Sequence, residues 1–438
     1  MMFPASGRDD KEISERRYNQ LNVFFIINNI VGAVFGLFYI YQLYFIFVSI
    51  TKKPEPFPEA PPGRYAVLIC ACNESSVIGK LIDSIKEQDY PKELVDVYVI
   101  ADNCTDDTAD IARGKGAFVT ERFDQERIGK GYALSCLFDT VSAGCTKWDY
   151  DGYFVFDADN ILDGRFIKEM NKAVAAGNKI VTSYRNSKNY GDNWISSGYA
   201  LWFLRETKYL NNSRQILGLS SQCSGTGFVI HRDILRKYGG WKYFTLTEDV
   251  EFTFAMVAQG EKIAFCQSAV LYDEQPVKFG VSWRQRTRWV KGYFQAYYRH
   301  GAAMVKGFFK RRDFSCYDML VSTLAGALIS LAVFVFYFIA IACYAVMGRP
   351  PVDILPWFVL YFGSCYMGLI VIGAITTKTE WDMIYCPPAK KLAYIITFPL
   401  FLFTLLPIAL WAPFSKQHWS HIEHIRAFDL NEVRKGGG

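Results

Sequence analysis

Tyr153-Phe154-Val155-Phe156-Asp157-Ala158-Asp159-Asn160 is an apolar run that ends in two carboxylates one residue apart. Its first four residues all favour strands. A buried carboxylate is costly unless it is paired or metal-bound. An Asp-x-Asp at a strand end can hold a hard divalent ion whose remaining ligands are phosphate oxygens. Around this run, from Arg64 to about Gly280, short β-rich stretches alternate with helical ones. Strands are expected at 65–71, 95–101, 153–157, 179–183, 227–231 and 263–272, and helices at 77–88, 107–114, 130–142 and 165–176. The alternation predicts an α/β domain with a mainly parallel, Rossmann-like sheet. Ligands of such sheets bind beyond the carboxyl ends of the strands.

Other polar clusters fall at comparable places. The first strand runs into Cys72-Asn73-Glu74, and the second into Asp102-Asn103-Cys104-Thr105-Asp106-Asp107. Carboxylates there can accept from the N–H groups of a base and the hydroxyls of a ribose. Each cluster is also ordinary turn and helix-cap chemistry. Thr247-Glu248-Asp249 opens a further helical segment. Thr247 suits an N-cap and the acids suit the positive helix end, or one acid is a general base beside an acceptor hydroxyl. In Gln285-Arg286-Thr287-Arg288-Trp289, a helix puts Gln285 and Arg288 on one face. An arginine there can neutralise a diphosphate, and a neighbouring indole offers a flat surface to a pyranose. Gly129-Lys130-Gly131 lacks the preceding glycine spacing of a P-loop.

Composition adds a membrane. Of 438 residues, 51% are hydrophobic and 16% aromatic, more than one soluble core explains. Apolar runs at 21–50, 320–347, 354–375 and 392–414 are each long enough to span a bilayer. The boundaries are therefore 1–51, a tail and membrane helix; 52–63, a proline-rich linker; 64–280, the α/β domain; 281–312, interface helices; 313–415, three membrane helices; and 416–438, a polar tail. Basic residues before the second and fourth runs place the α/β domain in the cytoplasm. One span before that domain and three after it put both chain ends outside. The net charge of +5 forms no stripe that would track nucleic acid. Eleven cysteines without a CxxC pair read as free thiols in a reducing compartment.

Taken together and in this order, the motifs resemble the family 2 inverting glycosyltransferases. The likeness is to the membrane-integrated processive branch that makes cellulose, mixed-linkage glucan, chitin, hyaluronan and poly-N-acetylglucosamine. It covers about residues 65–301. It implies a GT-A (Rossmann-like) cytosolic catalytic domain plus an α-helical transmembrane region, in the plasma membrane. It implies that Glu74 and Asp102 hold uridine, Lys130 lies near the donor phosphates or sugar, and Asp157 contacts the donor. Asp159, with Asp157, would bind Mg2+ or Mn2+. Gly225, Thr226, Gly227, Glu248 and Trp289 would form the acceptor site, Asp249 would be the base, Arg288 would bind the donor diphosphate, and Gln285 would help order the donor site. The implied partners are a UDP-sugar, glucose or N-acetylglucosamine, a growing polysaccharide and the lipid bilayer. The Thr-Glu-Asp triplet differs from the Gly-Asp-Asp of some hyaluronan synthases, which makes hyaluronan a poorer fit. Two alternatives stand beside this reading: transfer of one sugar to a lipid, and a non-catalytic transporter or scaffold.

Overall fold

The computed structural model describes residues 6–142, 149–346, 354–416 and 426–436, with 348, 350, 352, 422 and 424. The expectations for residues 1–5, for position 347 and for 417–421, 423, 425 and 437–438 of the tail lie outside the described residues. Eight strands form one sheet: β1 (Tyr65–Ala71), β2 (Val95–Asp102), β3 (Phe118–Arg122), β4 (Gly152–Asp157), β5 (Ile161–Leu162), β6 (Ile180–Ser187), β7 (Phe228–His231) and β8 (Ile263–Asp273). Their order is β3-β2-β1-β4-β7-β6-β8-β5. The pairs β1–β2, β1–β4, β2–β3 and β6–β8 are parallel. β7 runs antiparallel to both neighbours, and β5 to β8. The sheet is thus mainly parallel, as expected, with β7 and β5 as its antiparallel strands; β7 re-enters the sheet from the loop at its carboxyl edge.

Residues 66–69 of β1 and 154–156 of β4 are fully buried. Successive side chains point to opposite faces. Val67, Ile69, Phe154 and Phe156 pack against the helices Ile78–Lys86 and Phe166–Ala175. Ala66, Leu68 and Val155 pack against Lys130–Ser142 and Glu248–Gln259. Each large side chain so buried contributes roughly 1.5–3 kcal/mol, and the two filled faces leave the strand ends as the place for polar groups. Gly227 shows how tight this layering is. It has φ +69°, and a Cβ there would sit 1.9 Å from Leu271 Cδ2.

The segment expected as interface helices is one 33-residue helix, Phe279–Arg311. Small residues let it pack closely on the α/β domain: a Cβ on Gly292 would lie 2.5 Å from Thr247 Oγ1. Among the described residues, four helices are long and apolar enough to cross a membrane: Asn29–Thr51, Leu328–Val346, Leu355–Thr379 and Pro388–Phe414. Buried polar contacts tie the α/β domain to them. Arg214 Nε donates to Asp318 Oδ2 at 2.6 Å, with both side chains fully buried. Tyr41 donates to the other oxygen of Asp318 at 2.8 Å. Tyr184 donates to Glu380 at the end of the third apolar helix. Removing one partner of a buried pair typically costs about 3–5 kcal/mol.

The fourth apolar segment corrects the expected arrangement of the chain end. Near its start, Lys390 Nζ donates to the Gly191 carbonyl at 2.8 Å. In its middle, Arg286 donates to Phe401 O at 2.9 Å and Thr404 Oγ1 at 2.6 Å. Just past its end, Lys291 Nζ donates to Ser415 O at 2.7 Å. The segment thus meets the α/β domain near its start and the Phe279–Arg311 helix in its middle and past its end, and the tail returns to the α/β domain, where Arg434 pairs with Asp163 at 2.5 Å. Counting spans does not reveal this return, because a polar tail carries no local mark of a partner far away in sequence. An epitope appended to the C-terminus is therefore expected to be digested from the same face of sealed vesicles as one inserted at Lys92–Leu94. Digestion from opposite faces would reject this arrangement.

Candidate active site

Strand ends are held by matched turns. Asn73 and Asn103 both take φ 54°, a left-handed conformation that asparagine tolerates better than most residues. The side-chain oxygen of Asn73 accepts from Thr105 N at 2.7 Å, and that of Asn103 accepts from Asp124 N at 3.0 Å. The first bond joins the turns after β1 and β2, the second joins the turn after β2 to the loop after β3, and Glu74 and Asp102 are presented to one open cavity. Lys130, Asp157, Asp159, Gly225, Glu248, Asp249, Gln285, Arg288 and Trp289 line the same space.

Thr226 and Gly227 do not line it. The Thr226 hydroxyl accepts from Asp157 N at 3.0 Å and donates to Asn160, so it fixes the Asp-x-Asp turn from behind. Gly227 is the close-packed entry to β7. Gly225, with φ +82°, faces the centre: a Cβ there would lie 3.9 Å from Asp157 Oδ2, 3.9 Å from Asp249 Oδ2 and 3.8 Å from Arg185 Nη1. Three charged groups thus converge on one small volume.

Charge balance sets the protonation states. Lys130 donates to Asp157 and, at 2.7 Å, to the Gly225 carbonyl, and lies 3.9 Å from Glu248. Burial opposes its charge, but Asp157 and Glu248 outweigh burial and hold the ammonium above its usual range. Burial pushes Glu248 up to about 7, with Asp249 adding to the rise against Lys130. Burial likewise raises Asp249, again opposed by Lys130. Asp159 goes the other way. Its burial is overcome by the positive charges of His424 and Lys188, and its carboxyl stays below the ordinary range. Asp102 is paired with Arg122 at 2.6 Å, yet burial leaves it raised.

The QRTRW segment divides its work between two faces of its helix. Arg288 and Trp289 face the cavity, and Arg288 Nη1 donates to Leu246 O at 3.3 Å. Trp289 meets Tyr199 and Phe203 edge-on. Gln285 Oε1 is buried on the cavity wall without a hydrogen-bond partner. Arg286 points away, into the fourth apolar segment. Thr247 precedes the Glu248 helix as expected, but its hydroxyl makes no cap bond and is packed against Gly292.

Arg185, Glu206 and His424 are among the lining residues that were not foreseen. Arg185 lies on β6 beyond the expected strand limit. It pairs with Asp273, donates to the Ser224 carbonyl at 2.7 Å and stacks 3.8 Å over Phe203. Extending that strand through Tyr-Arg-Asn-Ser would have brought it to the carboxyl edge. Glu206 opens a π-helical turn, Glu206–Asn211, and accepts from the Ser224 hydroxyl. His424 arrives from the tail. Its Nδ1 lies 2.9 and 3.1 Å from the two Glu74 oxygens, and its Nε2 lies 4.0 Å from Asp159 Oδ2. Burial disfavours the charged ring, but Asp159 and Glu74 outweigh it and hold the ring at about 10. Glu74 itself is pushed up to about 7 by burial, against the pull of His424.

Among the described residues no three His, Cys, Asp or Glu side chains converge to grip a metal unaided. The donor set at the Asp-x-Asp turn nevertheless suits a divalent ion shared with a ligand: the buried, ionised Asp159 carboxylate faces the cavity, with the imidazole of His424 across from it. Asp157 contributes a second carboxylate, one oxygen of which is taken by Lys130.

Known proteins share this architecture. The mannosyltransferase PcManGT of Pyrobaculum calidifontis, solved with GDP-Man and Mn2+, superposes with a TM-score of 0.54 at 16% identity, covering 88% of this chain and 99% of that one. It shares the fold. In sequence, the chain is 28% identical over 269 residues to the probable glycosyltransferase YdaM of Bacillus subtilis, covering 56% of this chain and 58% of that protein. It is 27% identical to a beta-monoglucosyldiacylglycerol synthase of Nostoc (58% and 54% covered) and 24% identical to a poly-beta-1,6-N-acetyl-D-glucosamine synthase of Staphylococcus aureus (62% and 63%). The chain thus spans between half and two thirds of the length of these relatives. The model of the family described as "Glycosyltransferase like family 2" matches residues 61–292, more than half of the chain, and the chain belongs to that family.

Proposed function

We propose that this chain transfers sugar with inversion from a UDP-sugar to the end of a growing β-linked polysaccharide. The observation that carries the proposal is the shared cavity. Asp249 and Asp157 face one point beside Gly225, with Arg288 and Trp289 on the same wall. Inversion is a single displacement and needs one base and a stabilised leaving group. Asp249, raised by burial, takes the proton of the acceptor hydroxyl as that oxygen attacks the anomeric carbon. Arg288 stabilises charge on the departing diphosphate. A divalent cation held by Asp159 and Asp157 would supply further charge neutralisation there. Glu74 and Asp102 take the uridine, and Lys130 orders Asp157 and the Gly225 loop. Trp289 gives the acceptor ring an apolar face, with Glu248 and Gly225 beside it.

Addition of one sugar to a lipid is the second reading. It is favoured by the likeness to a protein named beta-monoglucosyldiacylglycerol synthase and by the apolar segment packed on the helix that carries Arg288 and Trp289. Ser322, Thr323, Ser364 and Tyr366, polar positions in the apolar region, are engaged in hydrogen bonds, which suits helix packing as well as a polymer path.

Four outcomes are expected. Purified membranes given UDP-glucose or UDP-N-acetylglucosamine yield long or laddered product on sizing gels; a single glycolipid band would replace this reading with the second. Asp249→Asn lowers transfer by about 10²–10⁴-fold while UDP binding by calorimetry stays within a few-fold, and Trp289→Ala slows elongation more than donor hydrolysis. The pH profile of kcat/KM rises along a limb above the ordinary carboxylate value of about 4, because a base with a raised pKa is charged only at higher pH. A limb at or below that value would remove Asp249 from the role.

A further inference from the structure

We infer that Glu206 binds the terminal sugar of the acceptor through a hydroxyl other than the attacking one, and so selects a sugar acceptor over a lipid alcohol. The inference rests on the transferase reading above and names the residue that decides between its two acceptor classes. Glu206 stands where the helix Trp194–Arg205 passes into the π-helical turn Glu206–Asn211. Turns of this kind are rare and occur mostly at functional sites. Trp202 and Glu206 are four residues apart, a spacing that brings helical side chains together, and both line the cavity. Trp289 and Tyr293, one turn apart on the Phe279–Arg311 helix, line it as well.

The carboxylate lies close to the point of reaction. It accepts from the Ser224 hydroxyl. The next residue is Gly225, where a Cβ would lie 3.9 Å from Asp249 Oδ2 and 3.9 Å from Asp157 Oδ2. Consecutive Cα atoms are about 3.8 Å apart, so Glu206 and Asp249 address neighbouring residues of one loop. The Tyr293 hydroxyl reports the same proximity: burial raises it, and Asp249 and Glu206 both add to the rise. A pyranose whose hydroxyl reaches Asp249 therefore brings its other hydroxyls within range of Glu206. The π-helical turn is held firmly. Ser49 donates to Lys208 O at 2.6 Å, the hydroxyls of Tyr209 and Thr379 are 2.5 Å apart, and Asn211 Oδ1 accepts from Gln222 N at 3.1 Å.

Chemistry decides what such a group can bind. An ionised carboxylate only accepts, and it has room for about four hydrogen bonds; one serine hydroxyl does not fill it. The acceptor must therefore bring a donor group besides the hydroxyl that Asp249 deprotonates. A pyranose carries several hydroxyls, and its apolar face suits the indoles of Trp202 and Trp289. A diacylglycerol carries one hydroxyl, and its attack leaves none for Glu206. Acyl chains laid over the carboxylate would take it out of water with nothing in return. A site built to bond a substrate hydroxyl rejects analogues that lack it, by as much as about 10⁴–10⁵-fold.

The test is transfer by the full chain in detergent, from UDP-glucose and from UDP-N-acetylglucosamine. The acceptors are a β-linked oligosaccharide of the donor's own sugar and, separately, dioleoylglycerol, and UDP binding is measured by calorimetry. Wild type is expected to extend the oligosaccharide and to leave dioleoylglycerol unmodified. Glu206→Gln is expected to raise the oligosaccharide KM about 10-fold or more, with kcat and UDP affinity changed less than about threefold. Ser224→Ala, which removes only the hydroxyl that Glu206 holds, is expected to raise that KM less. An unchanged KM in Glu206→Gln overturns the assignment and leaves the transferase reading standing. An equal rise in Ser224→Ala overturns it too, and marks Glu206 as a support of the loop. A loss of UDP affinity in step with acceptor affinity does the same and marks it as a support of the whole pocket. Wild type that glycosylates dioleoylglycerol and not the oligosaccharide overturns the inference and the polymer reading while sugar transfer stands. No transfer to either acceptor, with no UDP bound, overturns the transferase reading itself.

Discussion

A buried ammonium holds the candidate site together. Lys130 enters from the start of its own helix and touches Asp157 at the end of β4, the Gly225 carbonyl before β7, and the surroundings of Glu248 at the start of another helix. These segments are far apart in sequence. Without this cation, carboxylates gathered at the sheet edge would face one another in a low dielectric, at a cost of several kcal/mol per ion. Arg185 on Asp273 and His424 on Glu74 repeat the device further along the cavity. The pocket is therefore assembled around its own cations before any substrate arrives. Dipoles and charges fixed in advance need no reorganisation during reaction.

The same electrostatics explain what could be read from the chain and what could not. β1 and β4 were legible because continuous burial demands continuous apolar residues, and the acids ending those runs mark the carboxyl edge. Asp157, Asp159 and Asp249 each sit at a boundary between an apolar run and a turn or helix start, whereas Arg288 is carried to them by the body of the Phe279–Arg311 helix. Other features carry no local mark. β7 is only four residues long and reverses direction through a loop. Thr226 matters through Asn160 and a backbone N–H, neither of which spacing reveals. His424 pairs with Glu74 across 350 positions, in a stretch whose composition is that of any polar tail.

The apolar helices are joined to the α/β domain by polar contacts rather than by apolar contact alone. Arg214 with Asp318, Tyr184 with Glu380 and Arg286 with Thr404 are each long-range and largely buried. Apolar surfaces slide easily over one another, because their attraction is non-directional. A buried ion pair or hydrogen bond admits one register. These contacts therefore fix where the cavity sits relative to the apolar segments, to a precision that hydrophobic packing does not supply.

That register bears on the acceptor. On one helical turn, Arg288 and Trp289 face the cavity while Arg286 grips the fourth apolar segment from the opposite side. A helix with its side chains is about 10–12 Å across. The cavity wall that carries Arg288 and Trp289 and the apolar surface are thus separated by the width of a single helix. An acceptor tethered to lipid and an acceptor chain leaving along an apolar path would reach Asp249 by the same route. On the proposed reading, relatives named for a lipid product and for a polymer can share one catalytic geometry, with the acceptor distinguished along the wall that Trp202, Glu206 and Trp289 line rather than at Asp249.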